Sequence, residues 1–100
     1  MINIIRKVEE WAKARNLVNG STPQAQMLKL MEEAGELAGG IAKNKPDVII
    51  DSVGDVVVVL TILCAQLGID IQECVEQAYN EIKDRKGEMR NGVFVKEEDL

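Results

Sequence analysis

Histidine is absent from the 100 residues. That excludes imidazole-based zinc sites, histidine general bases and the Glu-x-x-His pairs of di-iron bundles. Aromatic residues make up only 3% while hydrophobic residues reach 46%, so the interior must be aliphatic, built from Val, Ile, Leu, Ala and Met. Cysteine occurs twice, as Cys64 and Cys74, without the close spacing of a metal or redox pair. Unpaired thiols fit a reducing, cytoplasmic setting. Basic residues are outnumbered, 12 against 17 acidic, for a net charge of −5. A phosphate backbone requires a basic footprint, so no nucleic-acid polymer is expected as a partner. A small phosphorylated ligand remains compatible wherever cations neutralise it.

There is also no basic leader followed by an apolar run at the start of the chain. The most apolar stretch, Val48 to Ile69, is interrupted by Asp51 and Asp55. The uncharged remainder, Val56 to Ile69, falls short of the roughly 20 residues that crossing a bilayer takes. A soluble protein without a membrane partner is expected. The length suits a single domain over residues 1–100, with 87–100 as a C-terminal tail. So short a chain buries only about 60–70% of its unfolded surface, which favours association with further copies.

What is present is helical patterning. Over residues 2–16, Ile5, Val8, Trp11 and Ala12 recur at helical spacing, and Trp11 reads as core, with base stacking as the second reading. Asn19-Gly20 marks a turn, and Thr22-Pro23 supplies a cap and a first-turn proline for a second helix ending near Lys43. Its apolar side is Met27, Leu30, Met31, Ala34, Ala38 and Ile41, and its polar side is Gln26, Lys29, Glu32, Glu33 and Glu36. Taken alone, this is an amphipathic helix with a solvated acidic face. Asn44-Lys45-Pro46 breaks the pattern, and a third helix runs to Gly68. It is apolar nearly all round, so Asp51, Ser52 and Asp55 share a sector with Val48, Val59 and Ile62. An ionised carboxylate withdrawn from water needs a pairing cation or a metal; the second reading is a buried salt bridge, or an N-terminal half of the helix open to water. Asp70 caps a fourth helix from about Ile71 to Lys86, with Ile71, Val75, Ala78 and Ile82 facing inward.

Two acidic clusters therefore stand on successive helices. Glu32, Glu33 and Glu36 fall within one helical turn, as do Asp51, Ser52 and Asp55. Face to face, they would offer the oxygen ligands that Mg²⁺ takes. Asn80, Lys83, Arg85 and Lys86 crowd the end of the fourth helix, where cations suit either the helix dipole or phosphate oxygens.

The order Lys29-x-x-Glu32-Glu33-x-x-Glu36, Asp51-Ser-Val-Gly-Asp55, Asn80-x-x-Lys83-x-Arg85 resembles the MazG-like nucleotide pyrophosphohydrolases. More narrowly, it is similar to the short single-domain MazG-like proteins of phages and bacteria, over about residues 11–95. The resemblance implies an all-α, four-helix bundle whose core is completed by oligomerisation, as a homodimer or homotetramer. It implies Mg²⁺-dependent hydrolysis of a nucleoside triphosphate to monophosphate and pyrophosphate, with Mn²⁺ as a substitute. Glu33, Glu36 and Asp55 match the family's metal ligands, and Glu32 matches a ligand or a base for the attacking water. Ser52 stands where the family's second motif has a glutamate; Asp51, one position earlier, is expected to substitute. Lys29, Asn80, Lys83 and Arg85 are the expected substrate contacts, with Gln24, Gln26 and Trp11 as candidates for touching the base. Two rivals share these features: a non-catalytic helical oligomer that regulates a partner, and a hydrolase of the same fold acting on phosphoribosyl-ATP or an alarmone.

Overall fold

Helix caps written into the sequence set the frame. The structure is a computed structural model that describes residues 2–100. Its elements are α1 (Ile2–Ala14), α2 (Pro23–Ala42), α3 (Pro46–Gln66), α4 (Ile71–Ile82), β1 (Gly87–Arg90), β2 (Val93–Lys96) and a 3-10 turn (Glu97–Asp99). The fold is all-α, with one small hairpin at its end. Thr22 Oγ1 accepts from Ala25 N at 3.1 Å to start α2, and Asp70 Oδ1 accepts from Gln72 N at 2.8 Å to start α4. Such caps satisfy amide groups that have no partner inside the helix.

The turn Lys43–Lys45 folds α2 back against α3, and this helical hairpin is the main body. Asn44 adopts φ +53° there, a left-handed conformation that asparagine tolerates. The helices meet closely at Gly40, where a Cβ would lie 3.0 Å from Val48 Cγ1. α1 and α4 pack on α3, and the buried hydrophobic residues are Ile5, Ala12, Val59 and Ile62. Arg6 on α1 joins Glu9 and Asp70, tying the first helix to the cap of the fourth. Cys64 and Cys74 are free thiols that the α3–α4 turn brings together; burial first, and then Cys74, pushes the Cys64 thiol up.

Several expectations are corrected. The side of α2 turned to α3 carries Gln26, Glu33 and Gly40, all buried. Met27, Met31 and Ile41, expected inside, are 44%, 67% and 58% exposed. Within a single chain the α2–α3 turn thus covers Gln26 and Glu33 from the polar side, while Lys29, Glu32 and Glu36 stay exposed. Trp11 is also not core: it is 45% exposed, with the Arg15 guanidinium 4.7 Å from its ring centroid. α4 ends four residues early, at Ile82, and none of its residues is buried; Val75 and Ile82 face outward.

The tail is an antiparallel hairpin in which Met89 pairs with Phe94 and Arg90 with Val93. Its two-residue turn, Asn91-Gly92, has positive φ at both positions, as the twist of a tight hairpin demands. At Gly87 only glycine fits, since a Cβ would sit 2.1 Å from the Val95 carbonyl oxygen.

The chain is open. Its radius of gyration is 16.4 Å, against about 13 Å for a compact chain of this length. Its accessible surface is 7399 Å², where a compact monomer of its mass exposes roughly 5,700 Å². α3 is long and apolar enough to cross a membrane by length and composition. It nevertheless carries Asp51 and Asp55 and forms the core of the helical fold.

Candidate metal centre

One turn of α2 gathers the carboxylates, with Glu33 buried and Glu32 and Glu36 exposed. Glu32, Glu33 and Glu36 each bring a ligand oxygen within 4.8 Å of the other two. The i, i+1, i+4 spacing places them on one turn, so α2 alone builds the cluster. Glu33 is only 5% exposed. Its Oε1 lies 3.3 Å from Lys29 Nζ, while its buried Oε2 has no hydrogen-bond partner. Lys29 Nζ also stands 3.4 Å from Glu32 Oε1.

The electrostatics follow from that crowding. The negative charge of Glu33, first, raises the Glu36 carboxyl above its ordinary value, with desolvation next and Glu32 a lesser contributor. The hydrogen bond to Glu33, followed by the charge of Glu32, holds the Lys29 ammonium above its usual range. Three carboxylates served by one half-exposed lysine, with one buried oxygen unpartnered, form an oxygen-only donor set. That chemistry suits Mg²⁺ or Mn²⁺ and disfavours soft metals.

Two cavities flank the cluster. One, of about 480 Å³, is lined by Glu32, Glu36, Gly39, Lys43 and Lys45 among others. The second, of about 530 Å³, is lined by Trp11, Gln26, Lys29, Glu33 and Asp55 over an apolar wall that includes Leu17, Val58 and Ile62. Asp55, half-buried on α3, therefore shares a cavity with Glu33 but stands outside the tight group of three.

The remaining expected residues are dispersed. Asp51 is exposed and not trapped among aliphatic side chains. In this part of α3, Ile50 and Val53 are also 73% and 49% exposed, while Val59 and Ile62 are covered. Ser52 is the buried member of that motif, at 2% exposure. Asn80 and Lys83 are exposed at the end of α4, Arg85 lies beyond it, and none of the three lines either cavity beside the carboxylates. Gln24 lines a different depression, with Met27, Leu28 and Leu63.

Lys43 and Lys45 are the cations that sequence reasoning did not weigh. The legible signal was two lysines straddling the turn that closes the acidic helix back on its neighbour.

Residues 21–89 match the profile of the MazG nucleotide pyrophosphohydrolase domain. The chain is also 61% identical over 67 residues to an uncharacterized 18.2 kDa protein from the rep–hol intergenic region of Haemophilus phage HP1 (strain HP1c1). That alignment takes in 67% of this chain and 41% of the phage protein, so the chain spans less than half the length of the relative it matches. No solved structure matches it.

Proposed function

The chain belongs to the MazG nucleotide pyrophosphohydrolase family, and from that premise we propose that it hydrolyses a nucleoside triphosphate to the monophosphate and pyrophosphate, with Mg²⁺ as cofactor and as an assembly of two or more copies in the cytoplasm. The observation that carries this reading is Glu33: a buried carboxylate with an unpartnered oxygen, flanked by Glu32 and Glu36. Lys29 serves only one of its oxygens; a buried carboxylate left half-partnered is costly, and a divalent cation would supply the missing partner.

Glu33, Glu36 and Asp55 are the residues that would hold the ion; bound there, it supplies polarisation of phosphate oxygens and a more acidic water. Glu32, exposed beside the cluster, orients the attacking water and accepts its proton as the water oxygen bonds to the α-phosphorus. Asp51, one turn before Asp55 on α3, is the second candidate for that proton. Lys29 relinquishes its pairing with the carboxylates and turns to substrate oxygens. Lys43 and Lys45, in the cavity shared with Glu32 and Glu36, neutralise the departing pyrophosphate. Asn80, Lys83 and Arg85 take part only from a neighbouring copy.

The assembly is supported by the apolar surface that one chain leaves bare. Leu28, Met31 and Ile41 on α2 and Ile50 and Val53 on α3 are 49–73% exposed. A second α2–α3 hairpin set against this face would close a four-helix core.

Glu33→Gln and Asp55→Asn test the assignment. Both are expected to abolish Mg²⁺-dependent pyrophosphate release from a panel of triphosphates while helicity stays intact. Undiminished turnover in both removes the metal centre from the reaction.

A further inference from the structure

The cavity on the Glu33 side contains two residues that a metal ion does not require, Trp11 and Gln26. Gln26 is a carboxamide at 9% exposure. Its Nε2 donates to Ser21 Oγ at 3.1 Å, and among the described residues nothing donates to its Oε1. Unlike Glu33 Oε2, that oxygen is not sealed from solvent, and Gln26 lines the cavity. An amide held this way by its nitrogen end presents an acceptor to whatever enters. Trp11, 45% exposed and carrying Arg15 over its ring, borders the same cavity, and Leu17, Val59 and Ile62 supply an apolar wall. At about 530 Å³, the space lies within the range of small-molecule pockets, which combine apolar lining with a few fixed polar groups. At its other end stand Glu33 and Asp55.

The geometry points to Gln26 as the residue that reads the base: its Oε1 accepts a hydrogen bond from the exocyclic amino group of a cytosine- or adenine-type ring lying against Trp11. This rests on the nucleotide reading of the site and deepens it by naming the class of base. A keto base in the same position sets oxygen against oxygen, so the discrimination has a repulsive as well as an attractive side. Ser21 is a positioning residue, because its Oγ accepts from Nε2 and so leaves Oε1 as the free end of the amide. Gln24 has no part in this, since it lies on a different face.

Trp11 is the only tryptophan of the chain, so its intrinsic fluorescence reports the cavity directly. The test titrates the full chain, without added metal, with two pairs of nucleosides, cytidine against uridine and adenosine against inosine, in which the amino group becomes a keto group and the adjacent ring nitrogen gains a hydrogen. Quenching is expected with the amino member of at least one pair, binding about tenfold tighter than its keto partner, as one hydrogen bond gained or misplaced implies. Gln26→Met is expected to bring that ratio close to one with unchanged helicity. Ser21→Ala, which leaves the amide intact but untethered, is expected to lower it part of the way. No quenching by any nucleoside at millimolar concentration, no amino preference, or a preference untouched by both variants overturns the proposal.

Mg²⁺-dependent turnover of triphosphates is scored separately. A base preference without turnover defeats the hydrolase reading alone, and turnover without a Gln26-dependent preference defeats the base assignment alone.

Discussion

Lys29 and Glu33, one turn apart on α2, form an ion pair at 3.3 Å in which the lysine side chain is 49% exposed and the glutamate side chain 7%. The lysine is the cation paired with two of the three clustered glutamates. Replacing it with methionine leaves Glu33, Glu32 and Glu36 without a counter-charge. Lys29→Met is expected to lower the melting temperature in chelator. Added Mg²⁺ should then raise it by more than in the unmodified protein, because a ligand that binds only the folded state stabilises by mass action. Thermal melts of both proteins across a Mg²⁺ series check this, and equal shifts would detach Lys29 from the ion's place.

Ser52 carries a second prediction. By resemblance it stands in place of a family glutamate, yet it is 2% exposed. Restoring the carboxylate by Ser52→Glu therefore inserts a larger, charged group into a packed position. Overpacking alone costs about 1–3 kcal/mol, and an unpaired charge adds to it. A lower melting temperature without any gain in Mg²⁺-dependent turnover is expected, whereas Ser52→Ala should be tolerated. A stable, more active Ser52→Glu protein would mean that α3 turns to present this position to the metal.

The periodicity of the sequence was enough to locate all four helices, because their caps are local: Thr22-Pro23, Asp70 and the break at Asn44-Lys45-Pro46 act within a few residues. The orientation of α2 was not legible in this way. An amphipathic pattern tells which side is apolar but not which side the next helix covers, and here the α2–α3 turn sets Glu33 against the neighbour and Met31 against solvent. Asp51 is exposed for a related reason: an apolar circumference does not by itself ensure coverage, and one chain leaves the first turns of α3 bare. The carboxylates of α2 were readable because one helical turn suffices to gather them. Lys43 and Lys45 were visible at the turn, but their place beside Glu32 and Glu36 was not, nor was the Gln26 cavity, since both depend on how two helices are set side by side. The Asn91-Gly92 hairpin signal was present and strong, and reading the end of the chain as a tail passed over it.

The exposed apolar face yields the third prediction. Met31 and Ile50 are 67% and 73% exposed in the single chain. Polar substitutions at such positions change monomer stability by no more than about 0.5 kcal/mol. Met31→Glu combined with Ile50→Lys is therefore expected to leave helicity intact while converting an assembly into a monomer in sedimentation equilibrium. An unmodified protein that already sediments at 11.1 kDa would refute self-association outright.

The fourth concerns acid. The hydrogen bond from Arg6, first, and that from the Gln72 amide hold the Asp70 carboxyl below its ordinary value. Arg6 is correspondingly raised, chiefly by the same Asp70 contact. A carboxyl whose folded value is depressed binds its proton more readily when unfolded, so it contributes stability above the unfolded value. That contribution is lost as pH falls below about 4, through the ordinary aspartate value and then the lower folded one. Since Asp70 both caps α4 and ties it to α1, α4 should loosen in this window. Asp70→Asn keeps a capping oxygen but cannot titrate, so its melting temperature should fall less steeply between pH 5 and pH 2 (from about one unit above the ordinary value to about two below it). Arg6→Met should flatten the same limb by returning Asp70 towards its ordinary value. An unchanged acid slope in both variants would show that the α1–α4 contact does not hold the helices together in solution.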